Sequence, residues 1–378
     1  MHALQSFFQW IPIGLPAFLF VLTVVVFFHE LGHFSVARAF GVKIETFSVG
    51  FGPAIASWVD RKGTQWKISW VPFGGYVKFF GDMGPASTPD NEKLENATAE
   101  ERSSAFQCKP LYQRALIAVA GPAANFVLAV VVFSAMFMFF GEGTLSTAIG
   151  KVTPGDPAAI AGIQAGDRIL AINGKPVHTW SDLQTVTRGS NGQPLTMSLN
   201  RHGKTLSLRV QPKKLEAKDI YGEPVKFTGV GLEPSANDSD LIMTHLGPVD
   251  AVAAGANQVE FVVTTTLTYL WRIVSGHADS SQLSGPVGIA NVSQQVASTG
   301  MLNLIRLIAF ISVSIGMVNL FPIPILDGGH LLYYGCEAVL GRPLGARVQD
   351  LGFRLGLAVM LGLMLFATWN DLVRLNLF

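Results

Sequence analysis

The chain has 378 residues, of which 49% are hydrophobic and only 14% are charged, and its formal net charge is +1. Soluble proteins average about 25% charged residues, so this composition excludes a disordered polar chain and is not typical of a soluble domain. A net charge near zero provides no field to attract nucleic acid, and we expect no nucleic-acid partner. The two cysteines, Cys108 and Cys336, cannot form a disulfide framework. Composition therefore predicts an integral membrane protein and leaves its chemistry open.

Four stretches lack Asp, Glu, Lys and Arg and approach the length of about 20 apolar residues that a membrane span needs. In chain order, their apolar parts are Ile11–Phe28, Ala115–Gly141, Leu307–Leu326 and Leu355–Asn370. A fifth candidate, Ala251–Trp271, is interrupted by Glu260. That pattern is typical of an amphipathic surface helix or of a weak span. We therefore expect four transmembrane helices.

The distribution of basic residues predicts the orientation of these spans. No Lys or Arg precedes the first span, whereas several follow it: Arg38, Lys43, Arg61, Lys62, Lys67 and Lys78. Cytoplasmic loops carry an excess of Lys and Arg, so the N-terminus is expected outside and residues 35–114 inside. The second span then returns the chain to the outside, and residues 142–300 are expected to be extracytoplasmic.

A motif with metal-binding spacing follows the first apolar stretch: His29-Glu30-Leu31-Gly32-His33. On a helix, residues four apart lie on one face, so His29 and His33 can bind one zinc ion. Glu30 lies beside them and can take a proton from water. The alternative is a structural pair of histidines with a glutamate at a helix end. Ionisable residues at membrane depth are costly, however, and this favours the functional interpretation.

A catalytic zinc site usually has three protein ligands and an open position, so a third ligand is needed. Asp327 is the best candidate, because Pro322 and Pro324 stop the third span shortly before it. An aspartate at a span end can instead be an interfacial cap, and His330 is a competing ligand. If Ala251–Trp271 does not cross the membrane, the first and third spans end on the same side. Asp327 then lies at the depth of the two histidines.

Six motifs occur in a characteristic order along nearly the whole chain: His29–His33, Gly50–Pro53, Gly74–Lys78, Gly121–Phe126, Gly285–Gly288 and Asn319–Gly329. Together they resemble the site-2 protease family of intramembrane zinc metalloproteases, and in particular the bacterial regulator-of-sigma-E protease group. The best-known members of that group carry two tandem PDZ domains, whereas this chain has room for one. A mechanism that needs a filter of two PDZ domains is therefore not expected here.

The resemblance also implies roles for individual residues. It implies one zinc ion per chain, held by the two motif histidines and Asp327, with Glu30 as the general base. It further implies that Asn319, together with Pro322 and Pro324, holds the substrate near the metal.

Residues 43–113 show alternating apolar residues and many glycines, which predicts short strands and a hairpin rather than helices. We expect strands at Thr46–Gly50, Thr64–Val71 and Gly75–Phe80. The region is either a cytoplasmic cap or a membrane-dipping sheet whose edge pairs with an unwound substrate, satisfying its backbone in a dry site. The resemblance favours the second interpretation. The substrate-binding residues of that edge would be Gly74, Gly75, Tyr76 and Val77.

The segment between Gly143 and Pro234 has a soluble composition and resembles a PDZ domain. We expect a short helix near Pro157, a strand at Arg168–Ile172 with a hairpin turn at Asn173-Gly174, and a helix at Ser181–Arg188. Two further strands are expected at Leu195–Leu199 and Thr205–Val210. PDZ domains bind extended peptides by strand addition, so the domain binds a peptide or a substrate tail, or it serves only for packing or size exclusion.

The predicted fold is an α-helical polytopic membrane protein with a membrane-associated β-hairpin region and one α+β PDZ domain. Its divisions are 1–42 (first span), 43–113 (β-rich region), 114–142 (second span), 143–234 (PDZ domain), 235–303 (linker with an amphipathic helix) and 304–378 (third and fourth spans).

The predicted function is zinc-dependent proteolysis within the membrane, at the bacterial inner membrane and in contact with lipid. The resemblance implies pre-trimmed single-span substrates, with anti-sigma factors as the leading example and signal-peptide remnants as another. Two alternatives are a non-proteolytic scaffold that acts through its PDZ domain and a metal transporter. The complete set of His, Glu and Asp residues argues against the scaffold. The nearly bare spans argue against the transporter.

Overall fold

A computed structural model describes residues 2–84, 90–218, 224–235, 237 and 240–374, which fall into two units. The first unit runs to Ser134 and resumes at Val252, and the second covers Ala135–Ala251. The second unit therefore contains the whole segment, 143–234, in which the sequence predicts a PDZ domain.

The helices in the described residues are α1 (His2–Ala39), α2 (Asn91–Glu95), α3 (Ala99–Ser104), α4 (Leu111–Phe139), α5 (Pro157–Ile160), α6 (Trp180–Gly189), α7 (Pro248–Val274), α8 (Pro286–Ser298), α9 (Met301–Asn319), α10 (Asp327–Leu340) and α11 (Ala346–Arg374). Four of them contain segments that are long and apolar enough to cross a membrane: Gly14–Ala39, Leu111–Phe139, Met301–Asn319 and Arg347–Arg374. This is the number that the sequence predicts, and α7 is not one of the four.

The strands in the described residues are β1 (Ile44–Val59), β2 (Gln65–Phe79), β3 (Glu142–Leu145), β4 (Ile149–Val152), β5 (Arg168–Ile172), β6 (Lys175–Pro176), β7 (Leu195–Arg201), β8 (Lys204–Val210), β9 (Lys213–Lys218), β10 (Pro224–Gly229), β11 (Leu232–Pro234) and β12 (Leu241–Thr244). The pairs they form are antiparallel, except that Thr46–Val49 of β1 also lies beside Gln65–Ile68 of β2 in a parallel register.

One span agrees with the sequence prediction at its end and one differs. Helix α1 carries the histidine motif and runs to Ala39, within the predicted first division, 1–42. The third span ends earlier than expected, at Asn319, and a turn-rich loop runs to Leu326 before α10 begins. This loop contains Pro322 and Pro324, which lack the backbone N–H that a continuing helix requires.

Strands β1 and β2 form one long hairpin instead of the short strands that the sequence predicts. The two strands expected at Thr64–Val71 and Gly75–Phe80 are parts of β2. Both parts pair with Thr46–Val49 of β1, Gly75–Lys78 along one edge and Gln65–Ile68 along the other. The base of the hairpin packs into a core with α1 and α4 through Phe47, Phe34 and Ile117. The outer part is apolar and exposed, as Ile55, Trp58, Trp70 and Phe73 show. The sequence predicted no helix in this region, and the structure adds α2 and α3.

Helices α1, α4 and α9 form a bundle around buried aliphatic side chains. Val21 and Val25 of α1 pack with Leu128 of α4 and Ile308 of α9. The apolar surface removed from water or lipid comes from every third or fourth residue of each helix. This bundle fixes the position of α1, whose C-terminal half carries the histidine motif.

Helix α11 buries little of its surface, and the carboxylate of its residue Asp371 connects it to the start of α8. Asp371 is fully buried, and its Oδ2 accepts hydrogen bonds from the backbone N–H groups of Gly285 and Gly288, at 2.9 and 2.7 Å. Arg374 donates to the other oxygen. The carboxylate therefore caps the N-terminus of α8 from a distant part of the chain, where negative charge is favourable. A side chain at Gly288 would fill this space, because its Cβ would lie 2.4 Å from Asp371 Oδ1.

The second unit contains a four-stranded sheet in the order β6-β5-β7-β8. Its elements coincide with the predicted ones to within a few residues, including the turn at Asn173 and Gly174, where φ is 50° and 78°. Asp167 pairs with Arg201 beneath this sheet at 2.7 Å. Burial alone would raise the pKa of Asp167, but the hydrogen bonds from Arg201 and from the Gln164 backbone lower it below the usual range.

Candidate metal centre

Helix α1 presents both motif histidines on the same face. Because they are four residues apart, their side chains lie one turn apart, and the two Nε2 atoms are 3.2 Å from each other. At this distance the lone pairs of the two Nε2 atoms can be directed at one point. The intervening Glu30 lines the same cavity without joining that pair.

Asp327, the first residue of α10, completes the cluster. Its Oδ2 lies 3.1 Å from Nε2 of His29 and 3.4 Å from Nε2 of His33. Ligand atoms about 2.0–2.1 Å from a tetrahedral zinc ion lie about 3.3 Å from one another, so these three distances fit three corners of a tetrahedron. Oδ2 is buried and finds no hydrogen bond of acceptable geometry among the described residues. A cation would satisfy this oxygen, and the residues present therefore fit a zinc ion.

Among the described His, Cys, Asp and Glu side chains, His29, His33 and Asp327 are the group whose ligand atoms all lie within 4.8 Å of one another. His330, the competing ligand in the sequence interpretation, is not part of it. His330 lines the cavity, and its ring centroid lies 6.4 Å from that of Tyr334.

Helix α4 packs behind the cluster and fixes one imidazole. Nδ1 of His33 lies 2.7 Å from the backbone oxygen of Ile117. A carbonyl oxygen can only accept, so Nδ1 carries the proton and Nε2 keeps its lone pair. This is the tautomer that a metal ligand needs. The helices approach closely here, since a Cβ at Gly121 would lie 2.2 Å from His33 Nε2.

The cluster lies in a cavity of about 270 Å³ whose wall includes residues of α1, β2, α4, the end of α9, the loop before α10, α10 and α11. Five of the predicted substrate-binding residues line it: Gly75, Tyr76, Val77, Asn319 and Pro324. The other two do not. Pro322 is exposed, and Gly74 lies against the ring of Phe51.

Glu30 is directed toward β2. A Cβ at Gly75 would lie 3.2 Å from its Cγ, and Val77 of the same strand lines the cavity beside it. The glycine therefore leaves room for the glutamate next to the strand. Glu30 is thus placed next to the ligand atoms but outside the ligand group.

A buried ion pair attaches the helix of Asp327 to the rest of the site. Arg114 of α4 donates to Glu337 of α10 at 3.1 Å, and both side chains are less than one fifth exposed. The guanidinium also lies 5.0 Å from the centre of the Tyr334 ring. Paired and stacked in this way, Arg114 fixes α10 against α4.

The sequence analysis gave no individual role to Ile117, Gly121 or Asn125, although all three contact the histidines. Asn125 Nδ2 lies 3.1 Å from His29 Nδ1. The signal was present in the sequence, because a carboxamide and a Gly-Pro pair inside an otherwise apolar span are unusual. Their partner could not be identified until α4 was placed against α1.

Four apolar helices and a buried cluster of two histidines and an aspartate define a membrane protein with the ligand set of a zinc hydrolase. The comparison with known families agrees with this class: the chain belongs to peptidase family M50, which matches residues 17–363. It is a zinc metalloprotease of the site-2 protease family.

Full-length relatives carry the same designation. A protein of Rhizobium meliloti named as a zinc metalloprotease is 42% identical over 95% of this chain and 96% of its own length. The metalloprotease MmpA of Caulobacter vibrioides is 40% identical over 97% of both chains. Among solved structures, the HtrA3 PDZ domain bound to a phage-derived ligand matches at 24% identity, covering 19% of this chain and 81% of that one, with a TM-score of 0.17.

Proposed function

We propose that this metalloprotease hydrolyses peptide bonds within the transmembrane segments of single-span membrane proteins. The observation that carries the proposal is that Glu30 lies in one cavity with three converging ligand atoms, on a helix apolar enough to cross a membrane. Ionisable groups in such a helix are costly and are retained where they have a function.

His29, His33 and Asp327 would hold the zinc ion. When bound, zinc supplies Lewis-acid chemistry, which polarises a carbonyl group and makes water a stronger nucleophile. Glu30 accepts the proton of the attacking water on its carboxylate and passes it to the nitrogen of the leaving amine. The Asn319 amide, which lines the same cavity, donates a hydrogen bond to the carbonyl oxygen as negative charge develops on it.

A transmembrane helix hides its peptide bonds in its own hydrogen bonds, so it must be unwound before it is cut. Strand β2 can receive the unwound segment near Gly75–Val77, because these residues each pair with β1 along one edge, whereas Trp66–Ile68 pair with β1 along both. A Cβ at Gly75 on β2 would lie 3.2 Å from Glu30 Cγ, so a segment added to β2 near Gly75–Val77 lies beside the proposed base. The exposed apolar part of the hairpin supports a position in lipid.

Cross-linking tests this edge pairing. In a Glu30→Gln protein whose two native cysteines are replaced by serine, Tyr76→Cys is expected to form disulfides with a single cysteine scanned through a substrate span. Tyr76 lines the cavity, whereas Trp70 on the same strand is 68% exposed. Trp70→Cys is therefore the matched control and is expected to cross-link much less. Equal yields at the two positions would contradict pairing at the cavity.

The finer identity of the substrate follows from the proposed orientation. The basic residues between the first two spans support an orientation in a bacterial inner membrane with the N-terminus and the PDZ domain outside the cytoplasm and the zinc site near the cytoplasmic side. Substrates are then proteins whose outer domains have already been shortened, with anti-sigma factors and signal-peptide remnants as candidates. The PDZ domain either binds the trimmed end or excludes intact substrates.

Metal removal tests the proposed function. Purified protein reconstituted in vesicles is expected to cleave a fluorescent single-span substrate with a trimmed outer end, and much less of the same span with an intact outer domain. A zinc chelator should abolish cleavage, and zinc added back at one equivalent per chain should restore it. Mass spectrometry of the products gives the cleaved bond. Cuts confined to residues outside the span, or cleavage that survives zinc removal, would contradict the proposal.

A further inference from the structure

A buried asparagine on α4 contacts the zinc-site histidine that the Ile117 carbonyl does not reach. Asn125 is fully buried, and its carboxamide lies 3.1 Å from Nδ1 of His29. Its Oδ1 has no hydrogen-bond partner among the described residues. A buried polar atom without a partner is destabilising, so the carboxamide calls for an explanation.

Nδ1 of His33, the ring nitrogen that is not the ligand atom, shows that a motif histidine needs a hydrogen-bond acceptor at this position. The Ile117 carbonyl fixes the proton of His33 on Nδ1 and leaves Nε2 as the ligand atom. Nε2 of His29 belongs to the same group of ligand atoms, because it lies 3.1 Å from Asp327 Oδ2. If this Nε2 is also a ligand, Nδ1 of His29 must carry a proton and needs an acceptor. The group that contacts this Nδ1 is the Asn125 carboxamide.

We propose that Asn125 is a positioning residue whose Oδ1 accepts the Nδ1–H of His29, which fixes the tautomer and the ring orientation of this zinc ligand. Rotating the carboxamide by 180° about the Cβ–Cγ bond exchanges the positions of Oδ1 and Nδ2. Oδ1 then faces His29 Nδ1 without any movement of the rest of the side chain. The proposal rests on the zinc site of the proposed function. It adds that α4 supplies an acceptor to both histidines, one from the backbone and one from a side chain.

Helix α9 holds the asparagine in place from the other side. The buried Ser312 hydroxyl donates to the backbone oxygen of Asn125 at 2.8 Å. Gly316 lets α9 approach closely, since a Cβ there would lie 3.2 Å from Asn125 Cβ and 3.1 Å from the Pro122 oxygen. Asn125 is therefore fixed by two neighbouring helices, as a residue that orients a ligand must be.

The acceptor role and a purely structural role predict different results for two substitutions. Leucine matches asparagine in size but accepts no hydrogen bond, whereas aspartate accepts one from Nδ1–H and cannot donate. If the side chain only fills space, leucine is tolerated. If it donates to His29, aspartate fails. If it accepts, aspartate is tolerated and leucine fails.

The test measures zinc affinity of the full-length protein in detergent by chelator competition, and the visible spectrum of its cobalt(II) form. Asn125→Leu is expected to weaken zinc binding by about 10- to 100-fold and to alter the cobalt spectrum. Asn125→Asp is expected to bind zinc within about threefold of wild type or more tightly, with a tetrahedral cobalt spectrum. Asn257→Leu, the same change at an exposed position of α7, should change neither.

Two results would overturn the role of Asn125. One is wild-type zinc affinity in Asn125→Leu, and the other is an Asn125→Asp protein that binds zinc as weakly as Asn125→Leu. His33→Ala separates this question from the proposed function. If His33→Ala loses zinc while Asn125→Leu keeps it, the zinc site stands and the proposal for Asn125 falls. If wild type binds no zinc, both fall.

Discussion

Replacing Glu30 with glutamine is expected to lower cleavage by about 10²- to 10⁴-fold while leaving one zinc ion per chain. Glutamine keeps the shape of the side chain but cannot accept a proton from water at neutral pH. Glu30 lies outside the ligand group, so the zinc affinity should not change. The measurement pairs zinc content of the purified protein with cleavage of the fluorescent single-span substrate.

Glu260→Gln is the matched control for this substitution. Glu260 is exposed on α7 and is not among the residues that line the cavity, so the same change of charge should leave both readouts at the wild-type level. Full zinc content with wild-type cleavage in Glu30→Gln would contradict the role of Glu30 as base. Loss of zinc in this variant would instead indicate that the glutamate supports the metal.

The convergence of the two motif histidines was predictable because its signal is local. The spacing of His29 and His33 sets their geometry as soon as a helix is assumed, and the structure places their Nε2 atoms 3.2 Å apart. Asp327 required one further step, which was to bring the ends of two spans to the same depth. The elements of the second unit were predictable for a similar reason, since turns such as Asn173-Gly174 carry their own conformational preference.

Several features that the sequence did not predict depend on contacts between distant segments. In the β1–β2 hairpin, Thr46–Val49 pairs with two separate parts of β2, which no short-range alternation reveals. The cap that Asp371 places on α8 joins residues more than eighty positions apart. The roles of Ile117 and Asn125 depend on the rotation of α4 about its axis, which its uniformly apolar sequence does not define. A nearly uniform apolar span shows that a helix crosses a membrane but not which face meets its neighbours.

The face of α4 that meets the zinc site gives the second large effect: Gly121→Ala is expected to weaken zinc binding by at least about 10- to 100-fold. The new Cβ would lie 2.2 Å from His33 Nε2 and 2.6 Å from its Cε1, distances at which one group must move. The imidazole cannot simply swing away, because Nδ1 is bonded to the Ile117 oxygen. Helix α4 cannot easily withdraw either, because it packs against Gly32 of α1 through Ala120.

Gly362→Ala on α11 separates this steric effect from the general effect of alanine in a helix. Among the described residues, apart from the neighbouring backbone of α11 itself, no atom lies within 4 Å of a Cβ at Gly362, so this change should leave zinc affinity and cleavage unaltered. Alanine favours a helix over glycine by about 1 kcal/mol, so the melting temperature should stay the same or rise slightly. Unlike Glu30→Gln, Gly121→Ala should lose cleavage and zinc together. Wild-type zinc affinity in Gly121→Ala would mean that α4 can move away from α1 without disturbing His33, and the contact between these helices would not define the metal site.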